Sequence, residues 1–299
     1  MALLTAQGIA NVAIPLIVRQ LVLPRTFTMV PSAGFTGPNG ETITVRVRTP
    51  RTAHVQATPG AAITYDDQSE VGVDVALTHL YDAYHLTDEA DTLELEDFAS
   101  QITAPQTASV AEGAEGQGYA AMNDLDADGD IEFALTPDPD DTKGVVYSLR
   151  EQLSVNRIPA SSRWLAAAPD IITRLLNVGE FVRADALGDG QSSALRDAVV
   201  GRIAGFNTFE AVGLDEGTAV AYHSSGFVWA NRRPTDPRGA TSTATASREG
   251  INIRQIFQYD PDVLSDASVL STFAGAAAVH EDEAGTEFVR SIKVGTSAS

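Results

Sequence analysis

The sequence contains no cysteine, only two lysines and no long apolar run. Without cysteine the protein has no disulfide, thiolate metal ligand or cysteine nucleophile, so packing alone must hold the fold. The lysines are Lys143 and Lys293, and twenty basic residues against forty acidic ones give a formal net charge of -20. No part of the chain supplies the Lys/Arg face that grips nucleic acid. The longest apolar run, VAIPLIV at 12–18, is too short to span a membrane and lacks a basic leader, which predicts neither an anchor nor an export signal.

The remaining composition is that of a folded globular protein. Hydrophobic residues make up 43% of the 299 residues and charged residues 20%, a balance too apolar for wholesale disorder. The length predicts about two domains and provides enough chain to bury a sizeable core.

The first third of the sequence predicts extended structure. Pro15, Pro24 and Pro31 interrupt the apolar N-terminal segment, a pattern that excludes one long helix and favours an extended arm lying on another surface. Apolar residues then alternate strictly over 42–48 and again over 71–77. This period of two predicts a long two-stranded hairpin with an irregular tip, which should lean on a partner because isolated hairpins are marginal in water.

Helical patterns follow. Asp91 and Glu94 resemble a capping pair, so a long helix is predicted to begin near residue 92, with a kink at Pro105 and weakening glycines beyond it. PDPDD at 137–141 is predicted to be a loop, and the apolar face of Val146, Leu149 and Leu153 predicts a second helix. The next segments predict a compact α+β region: a strand over 163–168, a helix opened by Pro169, and paired strands around 199–212 and 218–230. Residues 234–250 predict a mobile loop, with strands returning over 251–258 and in the last twenty-five residues.

The stretch DLDADGDIE at 124–132 resembles the start of a calcium loop. Asp124, Asp126, Asp128 and Gly129 stand at positions one, three, five and six of an EF-hand loop. Position twelve, where such loops carry a bidentate glutamate, is Leu135. The missing carboxylate favours an acidic solvated loop at the surface or at a subunit boundary, with cation binding as the minority alternative.

Three other constellations carry little catalytic signal. His79 and His85 with Asp82 between them suggest a weak metal site, but no third ligand has motif spacing. His223 beside Ser224 and Ser225 lacks the first glycine of a nucleophile elbow, which leaves a serine hydrolase as a remote alternative. The glycines of GDGQSS, at 188 and 190, lack the third glycine of a dinucleotide loop. We therefore predict no catalytic, cofactor-binding or metal-binding residue, no cofactor and no enzymatic activity.

Three runs follow one another along the chain: VGVDVALTHLYDAYHLTDEADTLELEDFASQITAPQ, NRIPASSRWLAAAPDIITRLL and SALRDAVVGRIAGFNTFEAVGL. In these runs, and over most of its length, the chain resembles the major capsid proteins of tailed bacteriophages with the Hong Kong 97-type fold. It implies an α+β fold with an N-terminal arm at 1–37, an extended β-hairpin loop at 38–88, a peripheral domain with a long spine helix at 89–144, an axial domain at 145–250 and return strands at 251–299. The short span between Gly205 and Gly250 implies that the inserted domain of some relatives is absent.

The resemblance also implies a function and partners. Copies of the chain would assemble as hexamers and pentamers into an icosahedral shell around double-stranded DNA, without sequence-specific binding and without a membrane. A separate scaffolding protein, a portal and a decoration protein are the expected partners, and the virion capsid, assembled in the host cytoplasm, is the expected location. Lysine-to-asparagine crosslinking would have only Lys143 and Lys293 available. The alternative from another class is an acidic calcium-dependent surface or adhesion protein.

Overall fold

The computed structural model describes residues 6–30, 42–48, 53–56, 58–60, 62–63, 65, 70–87, 99–179, 201–239, 242–262, 264–282 and 287–296. Within these ranges the strands are β1 (Thr28–Met29), β2 (Thr42–Arg48), β3 (Glu70–Ala76), β4 (Thr78–Thr87), β5 (Arg163–Ala167), β6 (Arg202–Ile203), β7 (Phe206–Glu210), β8 (Ala219–His223), β9 (Phe227–Arg232), β10 (Ser242–Arg248), β11 (Ile251–Asp260), β12 (Ser265–Ala278) and β13 (Ser291–Val294). The helices are α1 (Ala6–Gln20), α2 (Leu23–Thr26), α3 (Ala104–Asn123), α4 (Pro139–Val155) and α5 (Pro169–Asn177). Helices and strands are mixed along the chain, which confirms the α+β class.

The N-terminal segment is helical, so the extended conformation predicted from its prolines is wrong. Helix α1 runs through Pro15, which has no N–H to donate to the carbonyl of Asn11 one turn earlier. Asn11 is exposed, so water can reach the carbonyl that loses its partner. The opposite face of α1, including Ile9, Ala13 and Ile17, is buried against α3, β10 and β11. This burial offsets the missing hydrogen bond.

The predicted hairpin is present. Strands β2 and β3 pair antiparallel in an unbroken register from Thr42 opposite Ala76 to Arg48 opposite Glu70. Its valines Val73 and Val75 are buried against Val228 and neighbouring residues of the same chain. The base of the hairpin therefore packs on its own subunit.

Six strands form the larger of the sheets. Five of them follow the order β1-β9-β12-β11-β10, and the sixth, β4, pairs with β12 outside that order. Strand β4 pairs with β12 over the same residues as β11 does, so β4 occupies the other edge of β12. Helices α1 and α3 lie on one face of this sheet. A π-helical turn, Ala99–Thr103, leads into α3, and the helix geometry changes beside Pro105, which lacks the N–H that an α-helical bond would use. The predicted helix start near 92 and its capping pair lie outside the described residues.

The second core lies under a five-stranded sheet, in the order β13-β8-β5-β7-β6. Helix α4 buries Val146, Leu149 and Leu153, and α5 begins at Pro169, as the sequence predicted. Residues 137–141 were predicted to be a loop, but residues 139–141 form the first turn of α4, so this part of the prediction is wrong. Asp138 caps the helix by accepting a hydrogen bond from the backbone N–H of Asp140.

Two further predictions are wrong. The segments around 199–212 and 218–230 do not pair with each other: β7 and β8 each flank β5, and β9 belongs to the six-stranded sheet. The predicted mobile loop at 234–250 contains β10, which pairs with β11 through a turn where Glu249 and Gly250 both have positive φ. Ala244 of β10 is buried beside Ala6 and Ala10 of α1. These small side chains allow α1 to pack close to β10.

Candidate functional site

The stretch that resembles a calcium loop, residues 124–132, hereafter the acidic loop, is fixed by backbone pairing. Asp128 donates its backbone N–H to the carbonyl of Lys293 at 2.8 Å, and its carboxylate accepts from the N–H of Asp130 and from Gln152 Nε2, both at 2.9 Å. Lys293 Nζ donates to the carbonyl of Asn123 at 2.7 Å. These contacts tie the end of α3 to β13.

The carboxylates of the acidic loop do not converge. Within the described ranges no group of three or more His, Cys, Asp or Glu side chains has the arrangement of a metal site. Asp124, Asp126 and Asp130 are exposed, and Leu135 at the twelfth position is 58% exposed rather than turned into the loop. The geometry favours the solvated loop over the calcium alternative.

The histidine pair predicted as a weak metal site is not brought together. His79 stacks on the ring of Phe273 with centroids 4.5 Å apart, whereas Nδ1 of His85 lies 3.2 Å from Ser265 Oγ. Asp82, at an even position between two odd ones, points to the other side of β4. Burial, and secondarily the charge of Arg254, lower the pKa of His79, so its ring is a neutral packing partner at pH 7.

The serines beside His223 form a turn rather than a nucleophile site. Nδ1 of His223 accepts the backbone N–H of Ser225 at 3.1 Å and lies 2.8 Å from its hydroxyl, which caps the 3-10 turn Ser224–Gly226. Trp164 Nε1 donates to Ser224 Oγ at 3.1 Å. Burial, with the charges of Arg290 and Arg163, lowers the pKa of His223. Gly188 and Gly190 lie outside the described residues.

Both lysine side chains lie beside carboxylates of their own chain. The side chain of Lys293 is 9% exposed and lies 3.7 Å from a carboxylate oxygen of Asp215. Lys143 lies 3.4 Å from Asp140, one helical turn earlier. Each amine thus already has a carboxylate of its own chain as a neighbour.

The hairpin combines an anchored base with an exposed apolar tip. At the base, the backbone of Ala76 passes so close to β12 that a Cβ on Gly275 would lie 2.0 Å from the Ala76 carbonyl oxygen. Towards the tip, Val55 is 90%, Ile63 60% and Tyr65 83% exposed. Exposed apolar side chains are typical of surfaces that contact a partner. Gly275 was missed in the sequence, although a glycine inside a strand pattern signals a close backbone approach.

A groove beside α3 contains a half-buried hydroxyl and a half-buried carboxylate. It encloses about 840 Å³ and is lined by small residues of α3 with Glu115, Tyr119 and Gly213. Glu115 accepts the backbone N–H groups of Val22 and Leu23, which ties α2 to α3. Burial, and secondarily the charge and hydrogen bond of Glu115, raise the pKa of Tyr119 to about 12.

The stability of the protein should therefore fall between pH 10 and pH 12. A tyrosine whose folded pKa lies above its unfolded value of 10.0 stabilises the fold fully below pH 10, and this contribution is lost as the pH rises towards 12. Tyr119→Phe is expected to flatten this fall in a series of urea unfolding curves. Tyr65→Phe, at an exposed ring, is the control; equal slopes for the two variants would refute the assignment.

No helix in the described part of the chain has the length and hydrophobicity needed to cross a membrane. No protein-family model matches the sequence, and no curated protein is significantly similar to it.

Solved structures do match the fold. A structure of Mycobacterium phage Che8 is 15% identical and aligns over 92% of this chain and 90% of that one, with a TM-score of 0.62. The head structure of Helicobacter pylori bacteriophage KHP40 is 10% identical over 91% and 88%, with a TM-score of 0.64. The capsid of the cyanophage P-SCSP1u is 12% identical over 92% and 87%, with a TM-score of 0.62. These likenesses confirm the predicted fold.

Proposed function

We propose that this chain, which folds as phage capsid chains fold, is the major capsid protein of a tailed virus and has no enzymatic activity. The observation that carries the proposal is the match to capsid and head structures over more than nine-tenths of the chain. A likeness of this extent leaves little chain for an additional catalytic domain. The histidine and serine constellations are occupied by local contacts, and the carboxylates of the acidic loop do not converge within the described residues, which agrees with a structural role.

In this proposal, copies of the chain form hexamers and pentamers of an icosahedral shell. Residues 1–37 are the N-terminal arm, 38–88 the extended loop, 89–144 the peripheral domain with its spine helix, 145–250 the axial domain and 251–299 the return strands. The exposed apolar residues near the hairpin tip, such as Val55 and Tyr65, become buried on a neighbouring subunit. An element that gains its burial from neighbours can adjust between five-fold and six-fold surroundings.

The expected partners are a separate scaffolding protein, a portal and a decoration protein, and the shell encloses double-stranded DNA. The formal net charge of -20 suits a shell that encloses DNA without binding it, because the negative charges of the protein and of the DNA repel each other. The chain belongs to the virion capsid and assembles in the host cytoplasm.

Electron microscopy of the purified protein, expressed with a scaffolding protein, tests the proposal. Closed shells of uniform size are expected, since a capsid chain encodes its own curvature through repeated contacts. Monomers or irregular aggregates under all assembly conditions would contradict it. A calcium-dependent adhesion protein would instead show calcium-dependent association without closed shells.

A further inference from the structure

One half of the six-stranded sheet has a face that the described residues leave partly open. The side chains of paired residues in antiparallel strands project to the same side of a sheet. His79, Phe273 and Arg232 therefore share one side. Tyr81, Ser271 and Arg254 share that same side, because Tyr81 follows His79 by two residues on β4. We call this surface the open face. Its six defining residues are His79, Tyr81, Arg232, Arg254, Val269 and Phe273.

The helices and the hairpin that pack on the sheet do not cover the open face. Helices α1 and α3 pack on the opposite side, where Leu80 meets Gly113 of α3. The base of the hairpin packs on the same side of the sheet as the open face. It does so at Gly275 of β12, two residues beyond Phe273. Tyr81 is consequently 67% exposed, and Val269 and Phe273 are half-buried. Around Tyr81 and Phe273 the described part of the subunit leaves the open face uncovered, whereas Thr235 contacts Arg254 at its edge.

Positive charge is concentrated on the open face. Arg232 and Arg254 lie on it, with Arg233 next in sequence, in a chain that carries twice as many acidic as basic residues. Asp236, the nearby carboxylate, lies 3.6 Å from Arg233. Arg254 donates through one Nη to the carbonyl of Thr235, while its Nε is buried and finds no acceptor among the described residues. The carboxylate of Asp236 also acts on the charge of Arg254, so the exposed guanidinium of Arg232 is the group on this surface that an incoming carboxylate can reach.

The acidic loop provides the complementary surface elsewhere on the same chain. Asp126, Asp130 and Glu132 are exposed and form no ion pair with any residue that the structure describes. Leu135, shortly beyond them, is 58% exposed. Carboxylates beside an exposed leucine match a face that combines arginines with Val269 and Phe273. The loop follows α3, which packs on the other side of the sheet, so it reaches an open face most directly in another copy.

We propose that the acidic loop of one copy docks on the open face of a second copy. The proposal rests on the proposed function, since it supplies one of the contacts that a shell needs. The two surfaces are different parts of the chain, so the contact is heterologous and generates rings rather than isolated pairs. Because the contact is charged, it should weaken as salt increases.

Charge reversal in a light-scattering assembly assay, with electron microscopy of the products, tests this contact. Arg232→Glu and Asp126→Arg are each expected to slow assembly about tenfold, since opposed like charges lower the association rate. The double variant should recover most of the wild-type rate. Arg202→Glu, at an exposed arginine on β6, is the matched control and should assemble normally. Both sites are exposed, and circular dichroism with thermal unfolding of the monomers verifies that each variant folds.

The outcomes separate this contact from the proposed function. Slow assembly of both single variants with recovery in the double variant establishes the pairing. Normal assembly of either single variant, or no recovery in the double variant, overturns the docking while shells still form and the proposed function stands. If the wild-type protein forms no shell under any condition, the proposed function fails instead.

Discussion

Gly275→Ala should lower the free energy of unfolding by about 3 kcal/mol, the upper end of the usual range for overpacking. A methyl group at Gly275 would lie 2.0 Å from the carbonyl oxygen of Ala76 and 3.0 Å from its carbon. Ala76 is the last residue of β3 and pairs with Thr42 of β2, and β4, which pairs with β12, begins two residues later. Its carbonyl is therefore held by the backbone on both sides and cannot rotate away as a side chain would. The hairpin must lift from β12, which would expose Val73 and Val75.

Gly116→Ala is the matched control for this substitution. Gly116 lies inside α3, and no atom lies within 4 Å of the position that its Cβ would take. Alanine should therefore stabilise the helix by about 0.5–1 kcal/mol relative to glycine. Guanidinium unfolding curves measure both variants, and limited proteolysis reports release of the hairpin. Equal stability of the two variants would show that β12 and the hairpin do not approach as described.

Tyr222→Ala should cost about 3–5 kcal/mol, as large-to-small substitutions of buried aromatic residues do. Tyr222 is fully buried at the junction of the two cores, with its ring 5.8 Å from that of Phe27 and 5.1 Å from that of Phe227. Its hydroxyl lies 2.7 Å from Thr26 Oγ1, so the side chain links α2 to β8. Burial raises the pKa of this hydroxyl, which stays neutral at any ordinary pH.

Tyr222→Phe separates the two contributions of this side chain. The variant keeps the ring contacts and loses the hydrogen bond to Thr26, which should cost about 1–2 kcal/mol. Thermal unfolding followed by calorimetry measures both variants. If the phenylalanine variant is destabilised as much as the alanine variant, the hydrogen bond rather than the ring packing holds this junction.

Elements that bury a strongly periodic apolar face were predictable from the sequence. These elements are the hairpin strands β2 and β3, the strand β5 and the helices α4 and α5. Their apolar residues recur at the spacing that places them on the buried face, so the spacing in the sequence indicates the element. The fold class followed from the mixture of these helices and strands, whereas the Hong Kong 97-type fold followed from the resemblance of three runs of the sequence to phage capsid proteins. The prediction that no catalytic constellation would emerge stays a prediction.

The errors share a physical cause, which is packing that local sequence does not encode. Proline rules describe an isolated helix, whereas α1 is stabilised by the sheet and α3 beneath it. Strand β10 is composed of serine, threonine and alanine apart from Arg248 at its end. This composition is typical of loops, and the segment is a strand because it pairs with β11 and packs against α1. The open face could not be predicted at all, since it depends on which side of β4 and β12 each neighbouring element covers.

The burial of Lys293 and the ion pair of Lys143 have a practical consequence for bioconjugation. Reagents that acylate primary amines find Lys293 only 9% exposed and Lys143 25% exposed, so the side chains offer such reagents few sites. A lysine introduced at Val155, at the end of α4 and 72% exposed, would be a far more accessible target for a dye or a ligand. The scarcity of lysine thus makes this chain a convenient starting point for particles that carry a single attachment site per subunit.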